Sequence, residues 1–146
     1  MASPKTLYEI FNIGELQQFR QAFEAGADPN TLGPKGWTCL MAAVGRNQTE
    51  VASLLLSHPK IKINEKDIMG LRALHFGCTY GSTDTLNILL AVPGLELNVR
   101  DVAGDTPVME AIRRGHSEAV RALTQKTGVD LDLKTADGET LEELAQ

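Results

Sequence analysis

A repeat of 34 residues constrains the fold of this chain more than any other feature. Gly36, Gly70, Gly104 and Gly138 follow one another at that interval, and the clearest copy of the repeated segment runs from Asp67 to Leu90. Self-similarity at a fixed period of this length is typical of a solenoid, in which each unit packs on its neighbours. We therefore predict a stack of repeats that offers a binding surface.

Each unit is predicted to contain two helices. In the clearest copy a short helix starts at Ala73, and Gly81 supplies the left-handed residue that closes it. Leu86, Leu89 and Leu90 then recur at helical spacing. The apolar alternation that follows indicates a short extended arm. The predicted fold class is therefore all-α, a solenoid of helix-turn-helix units joined by short extended hairpin loops.

The repeat divides a single domain, residues 1–146, into units. We predict an N-terminal capping unit at 1–32, full repeats at 33–66, 67–100 and 101–134, and a partial C-terminal repeat at 135–146. Asn47 replaces the turn glycine of the first full repeat, and asparagine tolerates the left-handed conformation. Glu142 falls at a position that is apolar in the full repeats, so the last unit is either a polar cap or a fragment of a longer protein.

Stacking must supply the hydrophobic core, because no single unit can bury its own apolar face. The predicted core positions recur through the three full repeats and are Leu40, Leu55, Leu74, Leu89, Val108 and Leu123. Cys39 and Cys78 lie in the first helices of neighbouring repeats, with no CxxC pattern. We expect them to be buried and reduced.

Composition narrows the function classes. The net charge of −5 arises from residues 128–146, which contain six acidic side chains and one lysine. No basic stripe suggests nucleic-acid binding. No apolar run approaches the roughly 20 residues that span a bilayer, and the first residues lack a signal-peptide pattern. We expect an intracellular protein, cytoplasmic or nuclear, without membrane insertion.

The sequence contains no convergent set of catalytic or metal-binding residues. His58, His75 and His116 lie in different units and at different positions of the repeat, and metal-ligand spacing is absent. The glycines occur singly and form no phosphate-binding loop. We therefore predict no enzymatic activity, metal, cofactor or small-molecule substrate.

The repeated strings resemble the ankyrin repeat. A 34-residue period also fits the tetratricopeptide class, but the arms that end in Asn-Glu-Lys-Asp and Asn-Val-Arg-Asp favour ankyrin. The chain departs from the family pattern at Arg72, where the family has Thr, and at Cys39 and Ala73, where it has Pro. The resemblance is carried by the turns Asp67–Gly70 and Asp101–Gly104, the helix starts Thr38–Leu40, Arg72–His75 and Thr106–Val108, and the second-helix residues Val51, Leu54–Leu56, Leu86 and Ile88–Leu90.

The resemblance implies a non-catalytic protein-protein interaction module with a rigid concave surface for a protein or peptide. Hairpin tips and first-helix edges line that surface in the family. Apolar and aromatic residues rimmed by charge are the usual mark of an interaction site. Here the predicted binding residues are Lys35, Trp37, Arg46, Ile68, Met69, Leu71, Phe76, Tyr80, Asp105, Arg113 and Arg114, accompanied by Val102 and Glu110.

Two other interpretations remain open. If Trp37, Leu71 and Phe76 only pack between units, the domain is a structural spacer. The second interpretation is that the chain is a targeting or scaffold domain of a larger protein, such as a ubiquitin ligase or a kinase scaffold. The sequence specifies neither the partner nor the oligomeric state.

The resemblance also singles out three further residues. His75 is similar to family histidines that brace the turn by hydrogen bonding. Asn64 and Asn98, in the hairpins, are similar to asparagines that an asparaginyl hydroxylase modifies in ankyrin proteins. A turn-stabilising hydrogen bond explains both asparagines equally well.

Overall fold

The computed structural model describes residues 3–146, and in this part of the chain all regular structure is helical. The one pairing of extended backbone there is an antiparallel bridge between Leu32 and Thr38, and a single 3₁₀ turn follows at Pro34–Gly36. The predicted all-α fold is therefore confirmed. The helices are α1 Leu7–Ile13, α2 Leu16–Glu24, α3 Cys39–Gly45, α4 Thr49–Ser57, α5 Ala73–Tyr80, α6 Thr83–Leu90, α7 Pro107–Arg113, α8 Ser117–Gln125 and α9 Leu141–Leu144.

The helices form two layers. In the first-helix layer, α1 contacts α3, α3 contacts α5, α5 contacts α7 and α7 contacts α9. In the second-helix layer, α4 contacts α6 and α6 contacts α8. Each first helix also packs on the second helix of its own unit, from α1 on α2 to α7 on α8. This arrangement places every hairpin turn next to the hairpin turn of the following unit.

The turns between paired helices have the predicted backbone conformation. Gly81 and Gly115 have φ angles of 65° and 71°, and Asn47 has a φ of 56°. The side-chain oxygen of Asn47 accepts a hydrogen bond from the backbone N–H of Thr85, at 3.1 Å. Asparagine therefore keeps the left-handed turn and adds a contact with the next unit.

The predicted core is confirmed at all six positions, none of which is more than 2% exposed. Both cysteines are buried and free, as expected. Burial raises the pKa of the Cys39 thiol to about 12, and it also raises the pKa of the Cys78 thiol. Both sulfur atoms therefore remain protonated and serve the packing of α3 and α5.

The C-terminal unit contains one short helix, α9, which packs on α7 through the buried side chain of Leu141. Glu142 is exposed, in agreement with the predicted polar character of this position. Among residues 3–146, no helix combines the length and the apolar character needed to cross a lipid bilayer.

Candidate interaction surface

Exposed apolar side chains are concentrated at the hairpin turns and at the ends of the first helices. Ile68 is 67% exposed, Met69 50%, Tyr80 62% and Val102 66%. Together with the exposed cations of the same turns and helices, they define what we call the first-helix surface. Its members are Lys35, Arg46, Ile68, Met69, Tyr80, Val102, Arg113 and Arg114.

Two of the predicted surface residues are buried, so their predicted exposure is wrong. Phe76 is covered because its ring lies between Trp37, 6.0 Å away in an edge-on arrangement, and Tyr80, 6.3 Å away. Asp105 is covered because Arg113 folds over it and donates to both carboxylate oxygens, at 2.9 and 3.2 Å. Both residues therefore support the exposed side chains that cover them.

Trp37 and Leu71 are half-buried, an outcome between the predicted exposed patch and a packed spacer. The indole Nε1–H of Trp37 donates to Asp67 Oδ2 at 3.0 Å. The other oxygen of Asp67 accepts the backbone N–H groups of Met69 and Leu71, both at 2.9 Å. The indole is therefore held against the turn of the next unit while part of its face stays open.

An aromatic groove of about 320 Å³ lies between α3 and α5. Gly45 lies at its floor, where a Cβ would be 3.3 Å from Cδ2 of Tyr80 and 3.4 Å from Cδ1 of Phe76, so the two rings pack closely against the glycine backbone. The exposed ring of Tyr80 forms its outer edge. The lining residues are Trp37, Ala42, Gly45, Arg46, Phe76 and Tyr80.

Two cations flank this groove without a carboxylate partner. The Lys35 ammonium lies 5.3 Å from the centroid of the Trp37 ring. The Arg46 guanidinium lies 5.2 Å from the Phe11 ring centroid and donates to the Asn12 amide oxygen at 3.1 Å. Within residues 3–146, neither cation approaches a carboxylate within 4.0 Å. Their charge is therefore available to a ligand.

The fourth unit contains a cluster of carboxylates, in contrast to the cations next to the groove. Carboxylate oxygens of Asp101, Asp105 and Glu110 lie within 4.8 Å of one another, a grouping that resembles a cation site. Arg113 occupies both oxygens of Asp105, and Asp101 Oδ1 accepts two backbone N–H groups of its own turn. Burial, followed by the neighbouring Asp105, raises the pKa of Glu110. Internal bonds account for this cluster, and we assign no metal to it.

His75 braces the turn of its unit, as the resemblance predicts. Its Nδ1 accepts the backbone N–H of Arg72 at 3.1 Å, and its Nε2 lies 3.1 Å from the carbonyl oxygen of Asp105 in the next unit. A carbonyl oxygen only accepts, so Nε2 must carry the proton and the ring is neutral. Burial is the main reason why the pKa of His75 is lowered.

The lowered pKa of His75 predicts a loss of stability in mild acid. The unfolded chain binds this proton from about pH 6.5 downward, whereas the folded chain binds it only at lower pH. Stability is therefore complete above the unfolded pKa and falls as the pH drops, with a slope of at most about 1.4 kcal/mol per pH unit. We expect urea unfolding between pH 7.5 and 5 to show this loss in the wild type and a smaller one in His75→Gln.

The quantity to compare is the difference in unfolding free energy between the wild type and His75→Gln at each pH. The raised pKa of Glu110 acts with the opposite sign, because its contribution is complete below the unfolded pKa and is lost as the pH rises. Subtraction removes that contribution. Parallel pH profiles for the wild type and His75→Gln would contradict the neutral bridging role of His75.

Three asparagines spaced by 34 residues tie neighbouring hairpins together. Asn64 donates from Nδ2 to the carbonyl oxygen of Gly94 at 2.9 Å and accepts the backbone N–H of Glu96 at 2.8 Å. Asn30 and Asn98 make the same pair of bonds with their own following units. Asn64 and Asn98 thus have a hydrogen-bonding structural role, but their bonds join neighbouring units and do not close their own turn as predicted. Their hydroxylation stays a prediction.

Replacing Asn64 with alanine is expected to lower the free energy of unfolding by about 1–3 kcal/mol, because two inter-unit hydrogen bonds are lost. Urea unfolding followed by circular dichroism measures the change. Asn87→Ala is the matched control, since Asn87 is exposed on α6. Equal stabilities for the two variants would show that the asparagine pairings contribute nothing.

Sequence reasoning missed two residues that hold side chains of the surface in place by hydrogen bonds, Asn12 and Asp67. Asn12, which holds Arg46, lies in the last turn of α1, two residues before the left-handed residue Gly14. Asp67, which holds Trp37, lies at the start of a hairpin turn. The Asn12 contact joins the first unit to the second. The Asp67 contact crosses between units and is visible only in the fold.

Comparison with known proteins places residues 8–101 and 103–136 in one family. A family model described as "Ankyrin repeats (3 copies)" matches residues 8–101, and one described as "Ankyrin repeat" matches residues 103–136. SMC5-SMC6 complex localization factor protein 1 from Homo sapiens is 51% identical over 49 residues, and its counterpart from Mus musculus is 46% identical over 50. Each alignment covers 34% of this chain and 5% of the relative. The unit boundaries stay a prediction.

Proposed function

Because the chain belongs to the ankyrin-repeat family, whose members are protein-interaction modules, we propose that it binds a protein or peptide partner through the first-helix surface. The family is non-catalytic, and the proposed role needs no chemical step. The proposed site of action is inside the cell. The partner of a relative does not transfer through a match to 5% of that relative's length.

The observation that carries the proposal is the exposed apolar cluster of the third unit. Ile68 and Met69 at the hairpin tip and Tyr80 at the end of α5 are each at least half exposed, and Leu71 of the same unit is half-buried. Lys35 and Arg46 lie on one side of this cluster, and Arg113 and Arg114 lie on the other. Apolar patches with a charged rim are characteristic of protein-binding surfaces.

The backbone supports rigid presentation of this cluster. The N–H of Ile68 donates to the carbonyl oxygen of Lys35 at 3.0 Å, and the N–H of Val102 donates to that of Met69 at 2.9 Å. The hairpin tips of the third and fourth units are thus each bonded to the preceding tip. Little conformational entropy remains to be lost at the surface when a partner binds.

Affinity capture from cell lysate with two double variants tests the proposal. Met69→Ser/Tyr80→Ser removes exposed apolar groups from the first-helix surface. Asn87→Ser/Arg121→Ser changes two exposed residues of the second-helix layer and serves as the control. Removing two central anchors should reduce capture of the specific partners by at least about tenfold, whereas the control should retain them.

Circular dichroism and urea unfolding must show that both variants are folded. Equal capture by the wild type and Met69→Ser/Tyr80→Ser would contradict binding at the first-helix surface. Loss of capture only with Asn87→Ser/Arg121→Ser would place the site on the second-helix layer. The absence of specific capture by any of the three proteins would favour a spacer role.

A second candidate is that this surface targets a larger protein, such as a ubiquitin ligase or a kinase scaffold. The supporting observation is that the curated relatives carry the matching segment as 5% of their length. In that case the interaction measured with residues 1–146 would also direct the location of the larger protein. Expression of that larger protein with Met69→Ser/Tyr80→Ser should then abolish the localisation and leave its activity intact.

A further inference from the structure

We propose that the aromatic groove between Trp37 and Tyr80 binds a linear peptide segment in which a large apolar side chain stands next to a carboxylate. The apolar side chain enters the groove, and the carboxylate pairs with Arg46 or Lys35. This inference rests on the proposed function and adds the chemistry of the partner.

The groove fits an apolar side chain of a peptide. Its volume of about 320 Å³ is at the lower end of ligand-binding pockets. Its walls are the rings of Trp37, Phe76 and Tyr80, and its floor contains Ala42 and Gly45. Aromatic side chains contribute large contact areas at a small entropic cost. The groove therefore favours an aromatic or long aliphatic group over a polar one.

The wall of the groove is already ordered. The hydrogen bond from Trp37 to Asp67 fixes the indole, and the edge-on contact with Trp37 fixes the Phe76 ring. Tyr80 is the exposed exception, since the residue is 62% exposed and its ring lies 6.3 Å from that of Phe76. A bound apolar side chain would cover the Tyr80 ring and lose little to reorganisation of the other two.

The charge next to the groove favours an anion. Arg46 itself lines the groove, and Lys35 lies over the Trp37 ring at its other edge. Both cations interact with aromatic rings and lack a carboxylate within 4.0 Å in the described part of the chain. Glu15 lies beyond Arg46 in a neighbouring pocket and makes no ion pair with it. An incoming carboxylate would supply the missing counter-charge.

The repeat positions show which way the carboxylate must lie. The position of Arg46 recurs as Tyr80 and then Arg114, and the position of Ala42 recurs as Phe76 and then Glu110. The surface thus changes from basic to aromatic to mixed charge along the stack. The cations of the fourth unit are already paired with Asp105 and Glu110. The carboxylate of the peptide therefore belongs at the Arg46 side.

Selection from a random peptide library displayed on phage tests this inference. We expect the selected peptides to combine Asp or Glu with a neighbouring Trp, Phe, Leu or Met. A selected peptide, made synthetically, is then titrated into the protein while the fluorescence of Trp37, the one tryptophan of the chain, is recorded. Arg46→Glu should weaken its binding by about tenfold, as expected for loss of a charge pair next to a buried group.

Arg121→Glu is the matched control, because it makes the same change in net charge on the exposed side of α8. A smaller effect of Arg121→Glu than of Arg46→Glu supports the inference. Peptides that bind without a carboxylate, or equal effects of the two variants, would overturn it and leave the proposed function standing. Failure to select any peptide would also overturn it. Retained peptide binding by Met69→Ser/Tyr80→Ser would also overturn the inference, because Tyr80 forms the outer edge of the groove.

Discussion

Replacing Leu89 with alanine is expected to lower the free energy of unfolding by about 2–5 kcal/mol, because the change leaves a cavity in a closely packed core. Leu89 lies in α6, between α4 and α8 in the second-helix layer, and its side chain is fully buried. The layers can collapse around the cavity only by shifting one unit against the next. Urea unfolding of the two proteins gives the difference.

Leu32→Ala is the matched control for Leu89→Ala. It removes the same atoms from a side chain that is 59% exposed, so its cost should be well below that of a core position. A cost well under 1 kcal/mol for Leu89→Ala, like that expected at an exposed site, would mean that the packing of the second-helix layer is not as described.

Gly70→Ala is the second substitution with a large expected effect. Gly70 has a φ of 75°, and a Cβ at this position would lie 3.1 Å from the backbone nitrogen of Val102 and 3.2 Å from the Cα of Asp101. The left-handed conformation costs an alanine about 1–2 kcal/mol. Displacing the neighbouring backbone adds to that cost, and overpacking typically amounts to about 1–3 kcal/mol. We expect a total loss of stability of about 2–5 kcal/mol.

Gly138→Ala separates the two contributions to the Gly70→Ala effect. Gly138 occupies the same position of the repeat and has a φ of 83°, but no atom lies within 4 Å of a Cβ there. Only the conformational cost of about 1–2 kcal/mol should remain. Equal losses for Gly70→Ala and Gly138→Ala would show that the close approach of neighbouring hairpins does not contribute to stability.

The repeat made the core and the turns predictable. A position that is apolar in each full unit, such as Leu40, Leu74 and Val108, must face the neighbouring units, because stacking is the only way to bury it. The left-handed turns between paired helices followed in the same way, since glycine or Asn47 stands at each of them. The core positions and the turns recur in every unit, so comparing the units in the sequence is enough to predict them.

The details of the surface were less predictable, because they depend on contacts between side chains that differ from unit to unit. Phe76 is buried because Ala42 occupies its position in the preceding unit and leaves room between Trp37 and Tyr80. Asp105 is buried because Arg113 folds back over it. Neither contact follows from the repeat pattern, which places both residues on an exposed edge.

Hydrogen–deuterium exchange of the protein, alone and with a captured partner, tests the central claim most directly. The account predicts slower exchange in residues 33–47 and 67–81, which form the groove and the exposed turns. It predicts unchanged exchange in the outer second helices α6 and α8. Protection confined to those helices, with no change in residues 67–81, would contradict binding at the first-helix surface.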